Sequence, residues 1–340
     1  MAVKELKAIA RSIVADHKGV LAADESTGTI KKRFDTIGVE STEENRRAYR
    51  NLLFTTPGFE DYVGGVIMYD ETIRQSADDG TPFAALLTSK GVVPGIKVDT
   101  GAHDLAGHAG EKVTEGLDGL RARFAEYHEL GARFSKWRAV ITIGDGIPTD
   151  ACLHVNAHAL GRYAALSQEA GIAPIVEPEV LMDADNTIER CYEVTARTLH
   201  AVFVELDRQG VALDGMLLKP NMVISGKQCA TQATSAQIAE LTIDCFLRHV
   251  PAAVPGIVFL SGGQSEVEAT ENLDAINRVG GPWPLSFSYG RALQASALDA
   301  WRGEPANVDT AQGAFAHRAR MNALAAAGEW NADLEQAVTA

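Results

Sequence analysis

Short runs of apolar residues recur along the chain, and each is followed by a loop with Gly, Asp or Pro. Eight such runs predict eight strands, which begin at Gly19, Val63, Val93, Phe134, Ala173, Gly215, Gly256 and Pro284. Most intervening stretches are amphipathic at helical spacing, as in 117–130, 153–170 and 186–210. Strands that alternate with helices in this way are typical of a parallel α/β fold. No dinucleotide-type glycine turn follows the first strand, so eight units in 340 residues favour a closed (β/α)8 TIM barrel over an open sheet.

The two ends of the chain add elements outside the eight units. Residues 1–19 have an amphipathic pattern without a long apolar stretch or a small-residue cleavage site, which predicts a helix and not a signal peptide. Residues 311–330 predict a further helix, and a short polar tail follows it. We find no linker, so we expect one TIM-barrel domain over 1–340, with an N-terminal helix and a polar C-terminal tail.

Composition narrows the class of partner. Lys and Arg number 31 against 45 Asp and Glu, a net charge of −14, which disfavours binding to nucleic acid or to an anionic membrane. No apolar run approaches the length that spans a bilayer, so we expect a cytoplasmic protein. Four scattered cysteines without a C-x-x-C pair argue against a disulfide framework and a zinc ribbon.

Ionisable residues interrupt the apolar runs near their carboxyl ends. They are Asp24 after the first run, Lys97 and Asp99 in the third, Lys136 and Arg138 in the fourth, Glu177 and Glu179 in the fifth, and Lys219 in the sixth. Side chains at i and i+2 share one face of a strand, and parallel strands are normally apolar throughout. A lone strand-end lysine is more often solvated or ion-paired, and Glu177 with Glu179 fits a structural network equally well. Convergence of all these charges on one barrel mouth favours chemistry, because each buried charge carries a desolvation cost.

Such a set is suited to nucleophilic catalysis by an amine. A lysine attacks a ketone only in its neutral form, which burial and a nearby cation favour. Lys136 is placed to supply that cation for Lys219. The imine that forms is an electron sink for carbanion chemistry at the adjacent carbon, and Glu177 and Asp24 are available for proton transfer.

Glycine-bearing turns late in the chain predict a phosphate site. The segment LSGGQS, 260–265, follows the seventh strand, and SYGR, 288–291, follows the eighth; each opens a helical pattern. Helix N-termini after strands seven and eight of a barrel often bind phosphate, and Arg291 adds a bidentate donor. A second phosphate candidate is the helix start in DESTGTIKKRF, with Ser26, Thr29 and Arg33.

A metal site is not expected. His154 and His158 are four residues apart on a helical pattern, but the glutamate of H-E-x-x-H is missing. The nine histidines do not cluster with carboxylates at strand ends. We therefore predict neither a metal nor an organic cofactor.

The motifs together resemble one family, class I (Schiff-base) fructose-1,6-bisphosphate aldolase. The matching segments are LAADESTGTIKKRF, STEENRRAYR, GIKVD, LDGL, SKWR, IVEPE, LLKPN, FLSGGQS and SFSYGRALQASAL, in order over most of the chain. The resemblance implies a (β/α)8 barrel that cleaves fructose 1,6-bisphosphate reversibly into glycerone phosphate and glyceraldehyde 3-phosphate, in glycolysis and gluconeogenesis. It also implies a homotetramer.

The resemblance implies which residues carry the reaction. Lys219 of LLKPN matches the Schiff-base lysine. Glu177 of IVEPE would be the acid/base for dehydration and for the C4 hydroxyl proton, and Asp24 of AADES would orient that hydroxyl and assist C3–C4 cleavage. Lys136 of SKWR would stabilise developing charge, and Glu179 would support its neighbours.

Binding roles are carried over in the same way. The C1-phosphate site of the ketose is matched by Ser261, Gly262, Gly263, Ser288, Gly290 and Arg291. The C6-phosphate side is matched by Ser26, Thr29, Arg33 and Lys97, and Arg138 completes the predicted substrate-binding set. Thr29 stands where serine is commoner, which keeps the hydroxyl.

One departure concerns the C-terminal tail. Animal members of the family end in a mobile tail closed by a tyrosine that assists proton exchange at C3 of the enamine. This chain ends NADLEQAVTA, without a tyrosine. The protonating group is therefore unassigned, with the substrate phosphate and a buried carboxylate as alternatives.

Other functions are less well supported. A Schiff-base aldolase of fructose 1-phosphate or sedoheptulose 1,7-bisphosphate would suit a chain without a basic C6-phosphate site, but Arg33 and Lys97 are present. The histidine pattern disfavours a metal-dependent aldolase. A binding protein on a retired barrel is disfavoured because the reactive lysine, both carboxylates and Arg291 are all retained.

Overall fold

Eight parallel strands close into a barrel in the computed structural model, which describes residues 3–336. The barrel order is β1-β10-β9-β8-β7-β6-β3-β2, so barrel neighbours are also successive along the chain. The barrel strands are β1 Gly19–Ala23, β2 Val63–Met68, β3 Val93–Lys97, β6 Phe134–Ile141, β7 Ala173–Val180, β8 Leu217–Leu218, β9 Ile257–Phe259 and β10 Leu285–Tyr289. The predicted fold class is confirmed, and each of the eight predicted apolar runs contains one of these strands.

Helix α1 precedes the first strand, and most of the other helices follow the strands around the outside of the barrel. They are α1 Val3–Ile13, α2 Thr27–Asp35, α3 Glu43–Thr55, α4 Asp70–Ile73, α5 Phe83–Ser89, α6 Leu120–Glu129, α7 Asp150–Glu169, α8 Ile188–Arg208, α9 Ser235–His249, α10 Glu266–Val279, α11 Arg291–Trp301 and α12 Val308–Ala327. Hydroxyl side chains cap several of these helices. Thr234 of α9 and Ser265 of α10 each accept from the third backbone N–H of the helix, within a capping box.

A two-stranded antiparallel hairpin was not predicted. It consists of β4 Gly101–Asp104 and β5 Lys112–Glu115, between β3 and α6. Its sequence is polar and rich in glycine, so it lacks the apolar alternation by which strands are recognised. The hairpin is held by hydrogen bonds to the barrel, which the sequence pattern does not show.

The N-terminal helix closes one end of the barrel. Leu6, Ala10 and Ile13 of α1 are buried in one apolar cluster with side chains at the beginnings of the strands, among them Phe134 and Leu217. This packing leaves the opposite, carboxyl end of the barrel for the site. Within residues 3–336, no helix is both long enough and apolar enough to cross a membrane.

The C-terminal end differs in part from the prediction. Helix α12 ends at Ala327, three residues before the predicted end, because Gly328 follows in the left-handed conformation with φ of 71°. The tail then forms a 3₁₀ turn over Ala332–Gln336, which contacts the protein through Glu335. Residues 337–340 of the predicted polar tail lie outside the described residues.

Candidate active site

One cavity of about 810 Å³ opens at the carboxyl ends of the barrel strands. All the residues predicted to act on or bind a substrate line this cavity: Asp24, Ser26, Thr29, Arg33, Lys97, Lys136, Arg138, Glu177, Glu179, Lys219, Ser261, Gly262, Gly263, Ser288, Gly290 and Arg291. They come from seven barrel strands and from the loops and helices that follow them, so only the closed barrel brings them together.

Lys136 lies at the centre of a buried group of charges. Its Nζ is 2.7 Å from Oδ2 of Asp24, 3.4 Å from Oε2 of Glu177 and 3.8 Å from Oδ2 of Asp99. The Lys136 side chain is 4% exposed, and Asp24, the most accessible of the three carboxylates, is 13% exposed. Burying three carboxylates around one ammonium group would be costly without further cations. Lys219 and Lys97 supply these cations, to Glu177 and Asp99 respectively.

Lys219 directly follows the two residues of β8. Its backbone N–H donates to the carbonyl of Val176 on β7 at 2.8 Å, which fixes the base of the side chain. Nζ of Lys219 lies 3.1 Å from Oε1 of Glu177, and both side chains are about 5% exposed or less. A primary amine and a carboxylate are thus held together in the cavity, out of bulk water.

The charges of the cluster shift one another's proton affinity. Burial raises the pKa of Asp24, but the ammonium groups of Lys136 and Lys219 outweigh burial and hold that pKa well below its usual range. Burial lowers the pKa of Lys136, and the carboxylates of Asp24, Glu177 and Asp99 more than reverse this, so the net pKa is raised. At neutral pH Asp24 is therefore an anion and Lys136 a cation.

Two further ion pairs extend the cluster towards the rim. Nζ of Lys97 lies 2.7 Å from Oδ1 of Asp99, and Arg138 pairs with Glu179. The backbone N–H of Arg138 also donates to Oδ2 of Asp99 at 3.3 Å. Strand register explains this bond, because Lys97 is level with Lys136 on the adjacent strand, and Asp99 and Arg138 each come two residues later.

The predicted phosphate site lies at the ends of β9 and β10. Gly262 and Gly263 have φ of 56° and 85°, a left-handed conformation that favours glycine and exposes the backbone of the turn. The hydroxyl of Ser288 is buried and has no hydrogen-bond partner among the described atoms. Arg291 is the first residue of α11 and lines the same cavity.

The second phosphate candidate is organised by a carboxylate that the sequence reasoning missed. Glu25, which is buried, pairs with Arg33 and also lies 2.7 Å from Nη2 of Arg50. Burial raises the pKa of Glu25, and the two guanidinium groups outweigh it and lower the pKa overall. The hydroxyls of Ser26 and Thr29 are 3.1 Å apart at the start of α2.

Glu25 was detectable in principle, because it follows Asp24 directly after a strand, where a charge already required an explanation. Gln294 was also missed. Its Nε2 donates to the carbonyl of Ala22 at 2.9 Å and to Oε1 of Glu25 at 3.2 Å. These bonds join α11 to the end of β1, a long-range contact that local sequence does not reveal.

Fold and site together define a TIM-barrel lyase of the Schiff-base type. Within the described chain, no group of three or more His, Cys, Asp or Glu side chains is arranged to hold a metal ion. A buried lysine beside a carboxylate, with a phosphate-type turn in the same cavity, is the constellation that imine chemistry on a phosphorylated ketone requires.

Comparison with known proteins gives the family. The family model for class I fructose-bisphosphate aldolase of glycolysis matches residues 5–340. A probable fructose-bisphosphate aldolase class 1 of Xanthomonas campestris is 56% identical over 332 residues, covering 97% of this chain and 99% of the relative. Fructose-bisphosphate aldolase 4, cytosolic, of Arabidopsis thaliana is 52% identical over 333 residues, covering 97% of this chain and 85% of the relative.

A solved structure agrees with these relatives. The fructose-bisphosphate aldolase of Plasmodium falciparum, in complex with TRAP and a small-molecule inhibitor, superposes with a TM-score of 0.95 at 48% identity. The alignment covers 97% of this chain and 96% of that one. The chain belongs to the class I fructose-bisphosphate aldolase family. It is a carbon–carbon lyase that cleaves fructose 1,6-bisphosphate through a lysine Schiff base, in glycolysis and gluconeogenesis.

Proposed function

We propose that Lys219 is the residue that forms the Schiff base, with the roles of the surrounding residues following from their distances to it. The observation that carries this assignment is the buried Lys219 amine, 3.1 Å from Oε1 of Glu177. Nucleophilic attack needs the neutral amine, and Glu177 is the nearest carboxylate that can accept the proton. Lys136 is also buried, but the three carboxylates around it outweigh burial and raise its pKa, so it stays a cation. Lys97 and Arg138 pair with other carboxylates, Asp99 and Glu179.

Schiff-base formation joins Nζ of Lys219 to C2 of the open-chain ketose. The C2 oxygen takes one proton from the attacking amine to give a carbinolamine, and it leaves as water with a second proton that Glu177 supplies as general acid. The product is a cationic imine. The carboxylate of Glu177 lies beside Lys219, and that of Asp24 lies in the same buried cluster. The positive charge of the imine therefore forms next to anions.

Cleavage then breaks the C3–C4 bond. The C4 hydroxyl gives up its proton, its oxygen becomes the carbonyl oxygen of glyceraldehyde 3-phosphate, and the C3–C4 electron pair moves into the imine to form an enamine. Asp24 is a poor proton acceptor because its pKa is held low, but it is a permanent hydrogen-bond acceptor. We therefore assign the orientation of the C4 hydroxyl to Asp24 and the removal of its proton to Glu177.

The two ends of the substrate require two anion sites. We assign the C1 phosphate to the 261–263 turn with Ser288, Gly290 and Arg291, because helix N-termini and backbone N–H groups bind phosphate. We assign the C6 phosphate to Ser26, Thr29, Arg33 and Lys97. A Cβ added at Gly290 would lie 3.5 Å from Nη2 of Arg33, so Arg33 borders both subsites.

Assembly and location are part of the same proposal. We infer that the whole chain folds as one domain and assembles as a homotetramer in the cytoplasm, and the relative named as cytosolic supports this location. Light scattering should give four times the chain mass. Fructose 1,6-bisphosphate is the preferred substrate in this proposal, because cations line both ends of the cavity.

Borohydride trapping tests the assignment of Lys219. Reduction in the presence of fructose 1,6-bisphosphate should inactivate the protein and attach the three-carbon glycerone phosphate moiety to the peptide that contains Lys219. Lys219→Met should remain folded, lose cleavage and take up no label, because the buried site is built onto a barrel stabilised by other contacts. Borohydride without substrate is the chemical control.

A remote lysine provides the control variant. Lys7 on α1 pairs with Asp214 at 3.1 Å, outside the cavity. Lys7→Met should be labelled and inactivated as the unsubstituted protein is. Label on another lysine, or no label at all, would show that the Schiff base is not formed at Lys219.

A further inference from the structure

A lysine outside the predicted set stands against the glycine turn of the C1-phosphate subsite. Lys227 lies in the loop between β8 and α9. A Cβ added at Gly263 would overlap Nζ of Lys227 and would lie 3.0 Å from Nη2 of Arg291. The ammonium group and the guanidinium group are therefore both within 3.0 Å of one point above the turn.

The backbone fixes the base of Lys227. Its N–H donates to the carbonyl of Met182 at 2.8 Å, and the N–H of Gly226 donates to the carbonyl of Asn186 at 2.8 Å. A side chain at Gly226 would overlap the carbonyl oxygen of Ala184, so glycine permits this close approach. These two hydrogen bonds attach the loop after β8 to the loop after β7. They fix the position of the Lys227 backbone, from which the side chain extends.

Lys227 has one acidic partner among the described ion pairs, and a phosphate could replace it. Nζ of Lys227 lies 3.0 Å from Oδ1 of Asp183, and the two side chains are 40% and 64% exposed. Exposed ion pairs contribute little free energy because water screens them. A phosphate that entered between Lys227 and Arg291 would offer a denser charge than the Asp183 carboxylate at little cost.

We propose that Lys227 is a specificity-determining residue that supplies a second cation to the C1 phosphate. This inference rests on the proposed C1-phosphate subsite. A phosphate monoester carries about −1.5 to −2 charges at neutral pH, which two converging cations match better than one. Two like charges beside one glycine turn are unfavourable until an anion lies between them. Lys227 thus favours ketoses that are phosphorylated at C1.

The test measures the affinity of the protein for glycerone phosphate. Lys227→Met should raise its Kd roughly five- to tenfold, since a charge-assisted contact is lost at a partly exposed site. The inhibition constant for inorganic phosphate should rise as well. The dependence of log Kd on log salt concentration should become shallower, because one cation is removed. Lys227→Arg should restore most of the affinity.

Asp183→Asn provides an opposite change. It releases Lys227 from its carboxylate, so glycerone phosphate should bind more tightly than it does to the unsubstituted protein. The matched controls are Lys7→Met and Asp214→Asn, which remove a pair of the same type at 3.1 Å with both side chains 37% exposed. Neither control should change the Kd.

Arg291→Met separates the inference from the assignment on which it rests. An unchanged Kd in Lys227→Met, with a raised Kd in Arg291→Met, would overturn the role of Lys227 and leave the subsite in place. An unchanged Kd in both variants would show that the C1 phosphate binds elsewhere. An equal loss of affinity in Lys7→Met would also overturn the inference, because it would show a general charge effect.

Discussion

The ammonium group of Lys136 contacts three carboxylates of the site, those of Asp24, Glu177 and Asp99. Each of those carboxylates has a second cation nearby or a backbone donor, so the cluster is a network and not a set of isolated pairs. Removing one member leaves its partners buried without compensation, which is the costly case for ion pairs. The network to which we assign catalysis is thus also tied to stability.

The low pKa of Asp24 gives a testable pH dependence. The folded value lies below the value of about 3.9 for an unfolded aspartate. The stabilisation that this carboxylate contributes is therefore fully present above about pH 4 and is lost as the pH falls towards the folded value. Asp24→Asn should lower the free energy of unfolding at pH 7, and the difference from the unsubstituted protein should shrink below about pH 4. Urea unfolding at a series of pH values measures this difference.

An exposed aspartate serves as the control for that experiment. Asp35 lies 2.8 Å from Lys31 on α2, with side chains 55% and 61% exposed. Asp35→Asn should change the free energy of unfolding by less than about 1 kcal/mol at pH 7. If the Asp24→Asn difference stayed constant down to pH 2, the low pKa of Asp24 would not be a source of stability.

At the residue scale, sequence reasoning succeeds where a charge violates a local rule. Lys97, Lys136 and Glu177 stand out because parallel strands are otherwise apolar, and the structure places all of them in one cavity. Lys227 lies in a polar loop, where a lysine is unexceptional. Its position over Gly263 depends on the contact between two loops, which only the folded chain shows.

At the scale of elements, the β4–β5 hairpin connects the site to the outer helices. The Oγ1 of Thr114 on β5 donates to the carbonyl of Arg138 at 2.8 Å. Asn156 of α7 donates to the carbonyl of Lys112 at 2.8 Å and accepts from the N–H of Thr114 at 3.2 Å. Thr100, just before β4, donates to the carbonyl of Glu115 at 2.9 Å, which places the hairpin directly after Asp99.

Asn156→Ala should therefore loosen the hairpin. Asn156 is 2% exposed. Its loss leaves the N–H of Thr114 without a partner and leaves the carbonyl of Lys112 with only the weak donor Sγ of Cys152 at 3.6 Å, which should cost about 1–3 kcal/mol. Amide hydrogen exchange should increase over residues 101–115. The KM for fructose 1,6-bisphosphate should rise, because Asp99, which positions Lys97, lies next to the hairpin.

A second buried asparagine distinguishes this effect from general destabilisation. Asn322 is fully buried, accepts from Thr270 at 2.9 Å and donates to the carbonyl of Arg318 at 2.8 Å, away from the hairpin. Asn322→Ala should lower stability by a similar amount and leave exchange over 101–115 unchanged. Equal exchange in the two variants would show that Asn156 does not hold the hairpin.

Element prediction succeeds for the barrel and fails for the hairpin for one physical reason. Barrel strands are buried on both faces, so their sequences are largely apolar runs, as in β2, where every residue is buried and none is charged. The hairpin is mostly exposed or half-buried, and it is stabilised by polar contacts to α7 and β6. Such contacts do not produce a regular pattern of apolar residues in the sequence. Strand β8 shows a related limit, because only two residues of its apolar run pair as a strand.

At the scale of the whole molecule, the two ends of the barrel differ in structure: one is closed by a helix and the other holds the cavity. Helix α1 fills the end where the strands begin, and the charges and glycine turns occupy the other end. A variant such as Lys7→Met can therefore change one end without touching the other. The C-terminal segment is the exception to this separation, because it packs on α12 and reaches the beginning of α10 through Arg318.

This arrangement changes how a tail truncation should be interpreted. Glu335 accepts from Nε1 of Trp330 at 2.9 Å and pairs with Arg318, which is 5% exposed. Arg318 in turn donates to Thr270 at 2.6 Å and to the carbonyl of Glu266, the first residue of α10. Residues 331–340 contain no tyrosine. Through Glu335 this segment is nevertheless bound to the body of the protein.

Removal of residues 331–340 should therefore affect stability and leave the chemistry intact. Breaking the pair of Glu335 with buried Arg318 should lower the free energy of unfolding by about 3 kcal/mol. Cleavage rate and C3 proton exchange at saturating substrate should stay close to those of the full chain, because no phenol is lost and the cavity is lined by residues before 300. Glu335→Gln is the control, since it removes the ion pair without shortening the chain. If truncation reduced both rates strongly at a temperature where the fold is intact, and Glu335→Gln did not, the tail would take part in enamine protonation without a tyrosine.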